Sequence, residues 1–212
     1  RGGLAQAADA LREFVEATEG ERVHLVGHSL GGVVIAKMLE EAPLSRPGRV
    51  AMLGSPMAGS AAARIVSRRR VGRWLVGGVI REGIEHAPKW PGGRELLVVA
   101  GDIPFGSGLL LGLPKPHDGV IRVEETRVEG ARTVTVRASH VGLLLSRKVA
   151  ALLSYHFRAG CPNTPWGDPI VQRFARTDGQ TGSQSGRLIR ERRPGGNVMV
   201  VESRVETPFE EP

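Results

Sequence analysis

In Gly27-His28-Ser29-Leu30-Gly31 a serine stands between two glycines, the G-x-S-x-G spacing of a sharp turn that carries a nucleophile from a strand into a helix. Backbone angles on such a turn are strained, and flanking residues without side chains let strand and helix approach closely. The Leu30 N–H, at the start of that helix, can face a developing oxyanion. A serine nucleophile also needs a base to take its proton and an acid to orient that base. His140, in Ser139-His140-Val141-Gly142-Leu143, stands where a base is required, after a strand-like run and before the last helix-like one. Two acids compete for the third role. Asp118, in His117-Asp118-Gly119-Val120-Ile121, precedes His140 by 22 residues, room for a short helix or loop and one strand. Asp102, in Ala100-Gly101-Asp102, directly follows a strand-like run. The spacing favours Asp118 and keeps Asp102 as the alternative. The plainer readings are an Asp-Gly turn for Asp118 and a cap for Asp102. His28 is read as packing or hydrogen bonding beside the serine, and His24, His86, His117 and His156 have no partner pattern.

The elements that must position these residues follow from periodicity. Leu4, Ala7, Ala8, Leu11, Phe14 and Val15 recur at helical spacing, with a stop near Gly20. Val23 to Gly27 is a short apolar run without alternation, as in a strand covered on both faces. Leu30 to Glu41 predicts a helix closed before Pro43, and Arg49 to Leu53 a second strand. Glu95 to Ala100 and Arg132 to Arg137 predict further strands, and Val141 to Phe157 a final helix. Alternation of this kind favours βαβ units and a parallel sheet. Ser60 to Glu85 reads as mostly helical, weakened at Gly77-Gly78. From Cys161 onward the chain is rich in Gly, Pro, Ser, Thr, Gln and Arg, and only 197–201 is strand-like. Such a segment buries too little apolar surface to offset ordering costs of about 1–2 kcal/mol per residue. The expected division is a domain over 1–157 and a poorly ordered tail over 158–212.

The 212 residues suffice for one core, and 41% hydrophobic with 24% charged residues excludes a wholly disordered or fibrous chain. With aromatics at 4%, that core rests on Val, Leu, Ile and Ala. The net charge of +7 invites a nucleic-acid reading, but neither aromatic interleaving nor a recognition motif accompanies it. Much of the excess is one cluster, Arg64, Arg68, Arg69, Arg70, Arg73 and Arg81. The single cysteine, Cys161, excludes an intrachain disulfide, and no Cys/His grouping has metal-ligand spacing. No metal or organic cofactor is implied. The compartment stays open, with a cytoplasmic setting favoured. The chain starts at Arg1 rather than Met and is read as a fragment or processed form.

Gly27 to Gly32, Leu53-Gly54-Ser55-Pro56, Asp118-Gly119-Val120 and Ser139 to Leu144, in this order, resemble the α/β-hydrolase superfamily, nearest to bacterial lipases and esterases. The likeness covers roughly residues 4 to 157. It implies an α/β fold, a mostly parallel sheet with flanking helices, here without the family's first strands, and Val23 to Gly27 at or near a sheet edge. It implies a serine hydrolase of carboxylic esters working through an acyl-enzyme: Ser29 as nucleophile, His140 as general acid and base, Asp118 as its orienting acid. Thioesterase or acyltransferase chemistry would use the same residues, and a non-catalytic interaction module is the reading from another class. Met57 stands where the family usually has His, and the family's oxyanion donor ahead of the elbow strand has no counterpart here. Residues 60–90 fall where such proteins carry lid helices; Arg68, Arg69 and Arg70 beside Trp74 read first as a solvated basic helix face, with weak contact to an anionic lipid surface as the alternative. The expected partner is a small-molecule or lipid ester.

Overall fold

The computed structural model describes residues 3–60, 87–106, 112–159 and 198–202. The lid-like segment with Arg68, Arg69, Arg70 and Trp74 lies outside them, as does most of the C-terminal segment. Helix α1 (Leu4–Ala17) leads into β1 (Val23–His28), α2 (Leu30–Glu41) and β2 (Val50–Leu53). After β3 (Leu96–Gly101) comes a single 3-10 turn, Val123–Thr126, then β4 (Arg132–Val136), α3 (Gly142–Leu145) and α4 (Arg147–Ala159). A last strand, β5, spans Val198–Glu202.

The sheet order is β4-β3-β2-β1-β5. Its first four strands are parallel, with Leu25 against Val50, Val50 against Leu96 and Leu97 against Arg132. Two-residue alternation sends side chains of each strand to opposite faces. Leu25, Val50, Met52, Leu96 and Val98 therefore pack with α1 and α2 through Leu4, Leu11, Ile35 and Met38. Val26, Ala51, Leu53, Leu97 and Val99 pack on the other face with Leu143, Val149 and Leu152 of α3 and α4. Strands buried on both sides read as continuous apolar runs, and β1, β2 and β3 do. Fully burying a Leu, Ile or Met contributes about 1.5–3 kcal/mol each, so aliphatic residues dominate both faces, with Trp90 and Phe157 only at their margins.

One expectation is narrowed and one changes. Val23 to Gly27 lies next to the sheet edge and not at it: β5 pairs with it antiparallel, from Val23 against Glu202 to Gly27 against Val198. The strand-like stretch inside the C-terminal segment thus covers the backbone donors and acceptors that an edge would expose. The predicted single helix over 141–157 is two helices, because Ser146 is extended (φ −76°, ψ 119°) between them. The Ser146 Oγ accepts the Val149 N–H at 3.3 Å, a capping bond that starts α4.

Candidate active site

All four parallel strands deliver their carboxyl ends to one rim, the place where open α/β sheets hold ligands. At the end of β1 the chain turns through Ser29, whose φ of 56° and ψ of −124° make it the one positive-φ non-glycine residue among the described residues. The Ser29 N–H donates to Leu53 O at 2.9 Å, which ties the turn to β2. The turn closes because two glycines meet: a Cβ on Gly27 would lie 2.4 Å from the Gly32 nitrogen, and one on Gly32 2.2 Å from the Ser55 Oγ. Strain of this kind costs on the order of 1–3 kcal/mol and persists only where surrounding packing enforces it. Leu30 is the first residue of α2, so its N–H has no intrahelical acceptor and remains available beside Ser29.

The loop after β3 folds back to the same rim. A Cβ on Gly101 would lie 2.9 Å from the Asp118 Cβ, which puts Asp118 against the end of β3. Asp118 is 1% exposed, and its carboxylate is held at both oxygens. Oδ1 accepts the N–H groups of Val120 at 2.9 Å and Ile121 at 2.7 Å. Oδ2 accepts from His140 Nδ1 at 2.7 Å, and the His140 N–H donates to Asp118 O at 2.8 Å. With Nδ1 donating to a carboxylate, the neutral His140 ring keeps Nε2 as a proton acceptor. The other acid is not in this pair. Asp102 donates its N–H to Val136 O, and its Oδ1 is buried with no hydrogen-bond partner among the described residues.

Ser29 and His140 are linked through the residue between Gly27 and Ser29. His28 Nε2 donates to His140 O at 2.9 Å, and the two imidazoles lie 4.6 Å apart, tilted by 45°. Burial first, and then the neighbouring His140, push the His28 pKa below its ordinary value, so His28 is neutral in this position. Gly54, after β2, closes the floor with a φ of 56°: a Cβ there would come within 3.0 Å of Asp118 Oδ2 and 3.2 Å of His140 Nδ1. Val141 and Leu145 are 63% and 81% exposed just after His140, and Phe105, 79% exposed, has its carbonyl against Gly119. Met57, the departure from the family pattern, is buried in the α1–α2 core. Reasoning from the sequence did not find the support from Gly54 or the bonds at Val120 and Ile121. The Leu53-Gly54-Ser55-Pro56 and Asp-Gly signals marked the places without the contacts.

A strained turn between a parallel strand and a helix, with a buried His–Asp pair at the same rim, sits in a mostly parallel α/β sheet with helices on both faces. The chain belongs to the alpha/beta hydrolase family, whose model matches residues 1–206. Among solved structures it is similar to the Bacillus licheniformis lipase BlEst2 in its mature form, at 20% identity and a TM-score of 0.54, over 72% of this chain and 71% of that one. The propeptide form of the same lipase matches at 19% identity and a TM-score of 0.58, over 76% and 42%. The metagenomic carboxyl esterase MGS0156 matches at 16% identity and a TM-score of 0.51, over 66% and 52%. The chain thus spans about half the length of those last two. No curated protein matches it.

Proposed function

We infer that this chain is a serine hydrolase of carboxylic esters. The observation that carries the reading is the buried hydrogen bond from His140 Nδ1 to Asp118 Oδ2, at the rim where the strained Ser29 emerges. In the proposed cycle the Ser29 Oγ attacks the ester carbonyl carbon while His140 Nε2 takes its proton. Asp118 stabilises the imidazolium, and the Leu30 N–H donates to the oxyanion. Collapse of the tetrahedral intermediate expels the alcohol, protonated by His140, and leaves an acyl group on Ser29. A water activated by the same imidazole then attacks that acyl carbon and releases the acid. Oriented acid–base groups and an oxyanion donor are each worth orders of magnitude in such a reaction.

Val141, next to His140, and Phe105, whose carbonyl meets Gly119, are exposed apolar residues that support an apolar acyl group over a charged one. Hydrolysis of p-nitrophenyl acetate and butyrate by wild type and by Ser29→Ala tests the reading. Turnover lost in Ser29→Ala, with an unchanged melting temperature, supports it. Equal turnover in both proteins refutes it.

A further inference from the structure

At the opposite end of the sheet, where β1, β2 and β3 begin, the turns line an open cleft of about 340 Å³. This is the lower end of the range for small-molecule sites. Arg22, His24, Arg46, Arg49, Arg94 and Glu95 line it. The one carboxylate among these six is taken by Arg49, whose Nε donates to Glu95 Oε2 at 2.8 Å. Arg46 donates to the carbonyls of Val15, Thr18 and Gly20, and Arg94 to those of Val23 and Arg46. These bonds fix two guanidinium groups without neutralising them. Neither they nor Arg22 has a carboxylate partner among the described residues.

His24 adds a buried polar group to the same wall. It is 2% exposed, its ring lies 4.8 Å from that of Phe157, and its Nδ1 accepts the Arg49 N–H at 3.1 Å. The proton of the neutral ring is therefore on Nε2, which has no hydrogen-bond partner among the described residues. Burial, and after it Arg49, Arg22 and Arg94, lower the His24 pKa, as expected of a group held in a positive field.

We propose that this cleft is a second ligand site, for a phosphate group, bound by Arg22, Arg94 and the His24 Nε2–H at the pole of the sheet opposite Ser29. The Arg94 fork, held by its carbonyl bonds, matches phosphate oxygens in geometry and in sign, and the exposed Arg22 adds a second positive charge free to close on the ligand. The volume exceeds a bare phosphate and admits a substituent, so the group can be free or carried on a lipid headgroup. Nothing in the site depends on ester hydrolysis.

The test is calorimetry of the full chain with inorganic phosphate and pyrophosphate, beside sedimentation with phosphatidylcholine vesicles with and without phosphatidic acid. Arg22 is exposed and its side chain has no hydrogen-bond partner among the described residues, so Arg22→Glu is expected to remove a ligand and keep the fold, with Arg22→Gln as the milder variant. Millimolar or tighter binding of the free anions, weakened at least about tenfold by Arg22→Glu, supports a free phosphate ligand. Binding confined to phosphatidic-acid vesicles, with the same sensitivity to Arg22, supports the headgroup. A rise in the His24 pKa on binding, followed by NMR, is expected in the first case. No binding in either arm, or binding that neither Arg22 variant changes, overturns the proposal. Ser29→Ala is expected to bind as wild type does.

Discussion

His140 Nδ1 lies 2.7 Å from Asp118 Oδ2, and both side chains are buried where the ends of β3 and β4 meet. The two backbone N–H bonds on the other carboxylate oxygen leave Asp118 one orientation, and with it His140 one tautomer. Asp118→Asn keeps the shape and donates where the native group accepts. The expected loss in kcat is about 10³–10⁴-fold for esters, with KM little changed. Asp102→Asn is expected to stay within about tenfold of wild type. Steady-state kinetics of the two variants decide between the acids, and a larger loss in Asp102→Asn would reverse the assignment.

Gly54 carries a second prediction. Its φ of 56° disfavours any side chain, and a Cβ would press on both members of the His–Asp pair. Gly54→Ala is expected to lower stability by about 1–3 kcal/mol and to lower activity further than that loss of folded protein explains. Urea unfolding beside activity per folded molecule measures the two effects separately. Wild-type activity in a destabilised Gly54→Ala would show that the contact does not matter to the site.

His28 supplies the third. Its Nε2–H anchors the main-chain carbonyl of His140, so losing the bond lets the imidazole drift. His28→Phe is expected to lose about ten- to a hundredfold in kcat, given that displacements near 1 Å cost about a hundredfold. His28→Gln, which retains an N–H donor, is expected to recover most of this. If the two variants behave alike, the hydrogen bond is irrelevant and only ring packing counts.

Acid should destabilise the fold through buried histidines. His156 donates from Nε2 to Val50 O at 3.0 Å, and burial pushes its pKa down to about 4. His24 and His28 are lowered in the same direction, also by burial first. For a histidine with a folded-state pKa below its unfolded value near 6.5, the unfolded chain binds more protons between the two. Stability is then full above about pH 6.5 and falls as the pH drops toward 4, by about 3 kcal/mol for His156 alone. Denaturant unfolding between pH 7 and 5 should show this slope, and His156→Gln should flatten it. A slope of opposite sign would contradict the assignment of neutral, buried rings.

How far the fold could be read from the sequence depended on how local each determinant is. The bounds of α2 follow from Ser29, the apolar face and the residues before Pro43, all within a dozen positions, and the structure repeats them. The strands β1 to β4 were found within a residue or two because each is an uninterrupted or alternating apolar run. The pairing of β5 with β1 was not legible, since Val198 meets Gly27 across most of the chain. The break at Ser146 was missed because the apolar pattern of 143–153 runs through it, and only a capping bond reveals it. At the site, Asp118 and His140 could be ordered along the chain. The contact of His28 with His140, 112 positions apart, needed the fold.

If Ser29 is the activated nucleophile proposed above, an electrophile directed at serine hydrolases must find it. Incubation of the purified chain with a fluorophosphonate probe, followed by peptide mass mapping, tests this most directly. One phosphonyl group per molecule is expected, on Ser29, lost in Ser29→Ala and strongly slowed in His140→Ala and Asp118→Asn. A folded chain that takes up no label, or takes it up at another residue while Ser29 stays unmodified, would contradict the proposal.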